Sequence, residues 1–133
     1  MGKAVPPGTR KGGLGLSAPP KHALHKRLND HAKSIEQATN LTISDFFVRV
    51  LVVDDIWIPL GESLLIASFS PIWNNLVDGF GIHDPGSGRD KQKRSRWDAI
   101  HPGRAFAEKV APPKELAEDV MNAVAAQLRD QFD

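Results

Sequence analysis

Residues 46–53 constrain the fold of this chain more than any other stretch. Phe46, Phe47, Val48, Val50, Leu51, Val52 and Val53 form an apolar run rich in aromatic and β-branched side chains, interrupted only by Arg49. Such side chains favour an extended backbone, and an almost continuous apolar run predicts a central strand covered on both faces. Asp54 and Asp55 would end that strand. A pair of acids there could hold a metal, but a polar strand terminus accounts for them better. At 133 residues, of which 41% are apolar, the chain has room for one domain with a modest core.

Helices are expected on either side of the strand. Leu24, Leu28, Ala32 and Ile35 recur at helical spacing over residues 22–38 and form an apolar stripe. Arg27, His31 and Ser34 share a neighbouring face of that helix. Pro59 opens a second helix, with Leu60, Leu64 and Ala67 on one face and Ser70-Pro71 at its end. Pro112 and Pro113 separate off a C-terminal helix over 112–133, striped by Leu116, Val120, Ala123, Val124 and Leu128. Residues 1–21 and 74–104 are rich in turn formers and read as loops.

The net charge of +1 hides an uneven distribution. Residues 1–38 hold seven Lys/Arg against two acids, and residues 82–104 hold six against three. Residues 39–81 hold one against five, and residues 105–133 three against six. Two basic segments around an acidic middle suit a polyanion facing a metal centre, although solvated surface charge gives the same composition. Lys3, Arg10 and Lys11 in the first segment, and Arg89, Lys91, Lys93, Arg94, Arg96 and Arg104 in the second, are the expected contacts to a nucleic acid backbone. Cysteine is absent, which excludes disulfides and thiolate metal sites and fits a cytoplasmic protein. No apolar run approaches the roughly 20 residues of a membrane span.

Four polar residues remain that suit phosphodiester chemistry: Arg27 and His31, one helical turn apart, then Glu62 and Asn74. A guanidinium can hold a phosphate oxygen, an imidazole can move a proton, a carboxylate can bind a divalent cation, and an amide can brace the site. Glu62 in a first helical turn would also match the helix dipole, so a purely structural role stands beside the catalytic one.

In order and spacing these residues resemble the GIY-YIG nucleases, and among them the type II restriction endonuclease branch. Met1-Gly2-Lys3-Ala4 resembles the turn after the family's second strand, without its tyrosine. Arg27 and His31 match the Arg–His helix of the restriction branch. The segment from Val53 to Glu62 resembles the approach to the metal-binding Glu, and Trp73-Asn74 the aromatic–Asn pair twelve residues beyond it. Val77-Asp78-Gly79-Phe80-Gly81, Trp97-Asp98 and His101-Pro102-Gly103-Arg104 are similar too.

The resemblance implies a single α+β domain over 1–133: a small sheet flanked by helices, with 82–104 as a basic DNA-contact loop. It implies Mg²⁺ or another divalent cation on Glu62, phosphate binding by Arg27, assistance in proton transfer by His31, and bracing by Asn74. It also implies double-stranded DNA as substrate, a homodimer on palindromic sites, and no membrane. The family's Gly-Ile/Val-Tyr strand has no counterpart, and the chain has no tyrosine at all. The expectation is therefore an N-terminally truncated, inactive restriction endonuclease lacking the first two strands, through a start codon assigned too late. A non-catalytic DNA-binding remnant and a repair- or homing-type nuclease domain are the alternatives.

Overall fold

The computed structural model describes residues 1–5, 21–84 and 91–133, and its ordered elements are helical. Five helices follow one another: α1 (Lys21–Gln37), α2 (Ile58–Phe69), α3 (Ile72–Asn75), α4 (Arg96–Ile100) and α5 (Ala117–Phe132). Single 3₁₀ turns at Ile43–Asp45 and Asp55–Trp57 lie between α1 and α2. Expected helices at 22–38, 59–70 and the C-terminal tail thus form close to their anticipated bounds. α3 and α4 arise in or beside the stretch read as loop.

The expected sheet does not form among the described residues. Among the described residues there is no strand ladder, only an isolated parallel bridge between Lys93 and Ala111. The α+β expectation is therefore corrected to an α-helical architecture for the described residues. Residues 46–53 illustrate the reason. Phe46 has extended dihedrals, φ −109° and ψ 132°, as its side-chain type favours. A strand, however, exists by pairing its N–H and C=O groups with a neighbour, and no described segment forms a ladder with this one. Most of its side chains are exposed, Phe47 at 94% and Val52 at 83%, while the half-buried Phe46 packs on Trp73 with ring centroids 5.8 Å apart.

The core draws mainly on other parts of the chain. Ala38, Val77, Trp97 and Val120 form its buried centre, and Leu41, Ile72, Trp73, Leu76, Phe80, Ile100 and Val124 pack around them. Trp97 is fully buried and meets Trp73 edge-on at 6.0 Å. Two expected apolar faces are turned differently. In α2, Leu60 and Leu64 are exposed while Leu65 and Ile66 are partly buried, because no sheet covers the first face. In α5, Val120 is buried and Val124 packs on the core, but Leu116 and Leu128 are exposed.

Polar latches join the pieces. Gln127 and Gln131 of α5 donate to the carbonyls of Ser70 and Phe69 at 3.1 and 3.2 Å, satisfying acceptors at the end of α2. Ser70 stops α2 in the left-handed conformation, φ 41° and ψ 51°. After α1, the Thr39 N–H donates to the Pro102 carbonyl at 2.8 Å, and Asn40 Nδ2 to the Ile100 carbonyl at 2.9 Å. This close approach requires Gly103: its φ is +132°, and a β-carbon there would lie 2.0 Å from the Gln37 carbonyl oxygen.

Candidate nuclease site

The first residues of the chain meet all four polar residues singled out in the sequence. Gly2 lies over the Arg27–His31 face of α1: a β-carbon at Gly2 would stand 3.8 Å from His31 Nε2 and 3.9 Å from Arg27 Nη2. Lys3 Nζ pairs with Glu62 Oε2 at 2.6 Å. The Met1 amino group donates to Asn74 Oδ1, and Asn74 Nδ2 donates back to the Met1 carbonyl at 2.8 Å. Residues from α1, the first turns of α2, and α3 are thus brought to one place, although 47 positions separate Arg27 from Asn74. The helices explain the geometry. One turn of α1 sets Arg27 beside His31, Pro59 starts α2 so that Glu62 lies near its beginning, and Pro71 restarts the chain into α3, where Asn74 sits.

Each group has a defined state. Arg27 Nε is buried and finds no hydrogen-bond partner among the described residues. A buried guanidinium with donor capacity left over is poised for an anionic oxygen. His31 is half-buried and its pKa is pushed down to about 4. Burial is the main cause, reinforced by Arg27, the Met1 ammonium and His83, and opposed by Asp30. His31 is therefore a neutral imidazole near pH 7, able to accept a proton. The Glu62 side chain is 21% exposed and already bears a cation, the Lys3 ammonium.

The basic residues divide sharply. Lys91 and Lys93 are exposed. Lys3 is held by Glu62. Arg94 Nε donates to the Ala107 carbonyl at 2.9 Å. Arg96 makes a two-pronged pair with Glu115, 2.6 Å on each side, and also reaches the Leu76 carbonyl. Arg104 is not on the surface: its guanidinium is buried against Asp98 at 2.7 and 2.8 Å, touches Ser34 Oγ and the Phe80 carbonyl, and lies 4.5 Å over the Trp97 ring. A structural ion pair thus takes the place of the expected DNA contact, because the core would otherwise leave Asp98 unpaired. Arg10, Lys11 and Arg89 lie outside the described residues.

Sequence reasoning missed the Lys3–Glu62 pair, the grip of Met1 on Asn74, and a stacking partner for His31. Phe80 lies 4.1 Å from the imidazole, with the rings 20° from parallel. The spacing of glycines around Phe80 was its one sequence signal.

The family model of the Eco29kI GIY-YIG domain matches residues 1–128. The chain belongs to this family, a GIY-YIG domain of type II restriction endonuclease-like character. No curated protein matches the chain. Family membership gives it a nuclease-like function with DNA as the substrate class. Among the described residues no helix is long and apolar enough to cross a membrane.

Proposed function

We propose that the chain is the DNA-cleaving domain of a type II restriction endonuclease, which hydrolyses a phosphodiester with Arg27, His31, Glu62 and Asn74 and uses a divalent cation. The observation that carries this reading is the convergence of these four side chains on residues 1–3, with a buried Arg27 Nε that finds no partner among the described residues.

Glu62 fits a hard cation. Its carboxylate already attracts an ammonium at 2.6 Å, and the side-chain oxygen of Asn74 meets the same Met1 amino group that feels the charge of Glu62. No cluster of three or more His, Cys, Asp or Glu side chains able to hold a metal occurs among the described residues. The suitable ion is therefore one that needs few protein ligands and takes the rest from water and phosphate, as Mg²⁺ does. When bound, such a cation would supply positive charge to the departing oxygen. Displacing the Lys3 ammonium would free the carboxylate for it.

The protein side of the reaction follows from the geometry. Arg27 holds a non-bridging phosphate oxygen and stabilises the charge that grows on it. His31 Nε2, on the Gly2 side of its ring, accepts the proton of the attacking water. Asn74 orients Glu62 or the phosphate. The chain contains no tyrosine, so no phenolate shares the work of His31. Loss of one general base lowers a rate by roughly 10²–10⁴, and the 133-residue chain is expected to bind DNA but to cut it far more slowly than a nuclease with that base. A partner copy on palindromic DNA belongs to the same proposal.

Plasmid cleavage and gel shift on the same preparations test the assignment, with wild type and the near-isosteric Glu62→Gln compared with and without Mg²⁺. Any cleavage should need the cation and vanish in Glu62→Gln, while DNA binding stays within a few-fold. Cleavage by Glu62→Gln at the wild-type rate removes Glu62 from the site. Binding without cleavage under every divalent cation favours a non-catalytic DNA-binding module.

A further inference from the structure

The turn at 78–81 carries three positive φ angles in four residues: Asp78 at 59°, Gly79 at 67° and Gly81 at 67°. Such a conformation is held only when its surroundings over-determine it. The Gly79 N–H donates to the Trp73 carbonyl, and the Gly81 N–H to the Asp78 carbonyl at 3.2 Å. A β-carbon at Gly81 would lie 2.1 Å from Ser95 Oγ and 3.3 Å from Arg104 Nη2, so the turn can press against α4 only with glycine there.

This conformation presents one large side chain, Phe80. Its carbonyl accepts from Arg104 Nη2 at 2.9 Å, and Arg104 is itself fixed by Asp98. Its ring meets Trp73 edge-on at 5.1 Å and Trp97 at 5.6 Å. Against this wall the imidazole of His31 lies nearly flat, at 4.1 Å.

We propose that Phe80 is a positioning residue for His31: the turn and the Arg104–Asp98 pair hold its ring rigid, so that it fixes the plane of the imidazole and keeps water from one face. The importance of that role rests on reading His31 as the proton acceptor of the nuclease site. An aromatic face suits a neutral imidazole, because covering it with an apolar ring removes the solvation a charged ring would need. The charged and titratable groups around His31 are Arg27 and Asp30 on its own helix, the Met1 ammonium across the site, and His83 just after the turn. Burial outweighs each of them, and Phe80 supplies part of that burial.

NMR titration of the histidines in wild type, Phe80→Leu and Phe80→Tyr tests this. His31→Gln assigns the resonance. In wild type His31 should titrate far below 6.5, near about 4. In Phe80→Leu it should titrate about one unit or more higher, and Phe80→Tyr should restore it. An unchanged His31 titration in Phe80→Leu that keeps the near-ultraviolet signature of the Trp cluster overturns the proposal. Wild-type His31 titrating near 6.5 overturns it too. Should Phe80→Leu fail to fold, the ring-current shift of the His31 protons in wild type decides: an upfield shift supports the stack, and its absence refutes it. None of these readouts needs cleavage. A chain that never cuts DNA sinks the nuclease reading while the titration still reports on Phe80.

Discussion

His31 shows how one side chain can tie the site to the stability of the fold. Its pKa is lower in the folded chain, about 4, than the ordinary 6.5. Between those values the unfolded chain binds more protons than the folded one, so stability rises with pH there. The contribution is complete above about 6.5 and is lost as pH falls toward 4. His101, whose pKa burial also lowers, adds to the same slope. Denaturant unfolding followed from pH 7 to pH 4 should show falling stability, and His31→Gln should flatten part of it. Gly103 is a second decisive residue. Its φ of +132° and the 2.0 Å approach of a β-carbon to the Gln37 carbonyl leave no room for a side chain. Strain and overpacking together predict a loss of roughly 2–4 kcal/mol for Gly103→Ala, measurable by the same unfolding experiment.

Among the elements, residues 46–53 and α2 stand apart from the core. Phe47 and Val52 are almost wholly exposed, and Ile56, Leu60, Leu64 and Phe69 are more than half exposed. An apolar extended segment with no ladder partner among the described residues is a template for association with another chain. Phe47→Lys combined with Val52→Lys should change unfolding free energy by no more than about 0.5 kcal/mol, as surface substitutions do. It should raise the concentration at which the chain stays monodisperse in light scattering. Destabilisation by several kcal/mol would show that these side chains are covered in solution. The inner face of α2 is different. It carries Glu62 to Lys3, and the end of α2 is held by Gln127 and Gln131.

At the scale of the molecule, the basic residues are sorted by what they already bind. Arg96 and Arg104 are engaged with Glu115 and Asp98, whereas Lys91 and Lys93 are exposed. Each phosphate contact releases counterions and steepens the fall of affinity with salt, by about 0.9 in the log–log slope. Lys91→Ala and Lys93→Ala should each lower that slope by about one contact's worth, while Arg96→Ala should leave it unchanged. Fluorescence anisotropy on a duplex across a salt series reads this directly. An equal effect of Arg96→Ala would show that its pair with Glu115 opens on DNA.

The sequence by itself determined the helices and the family. Periodicity of Leu24, Leu28, Ala32 and Ile35, and the positions of Pro59 and Ser70-Pro71, fix local structure because helix formation and its interruption act within a few residues. The order of Arg27, His31, Glu62 and Asn74 was enough to place the chain in its family, since side-chain chemistry travels with residue identity. Pairing was beyond its reach. Residues 46–53 have the composition of a strand, but a ladder depends on a neighbour that pairs with it, and no described segment does. Arg104 looks in sequence like any other basic residue. Only the packed core, with Asp98, Trp97 and the Phe80 carbonyl around it, decides that its charge is spent inside. The same holds for Phe80 itself, whose contact with His31 spans 49 positions and is created by a turn pressed against α4. Contacts of that kind come from tertiary packing, where burial and the satisfaction of every polar group outweigh local preference.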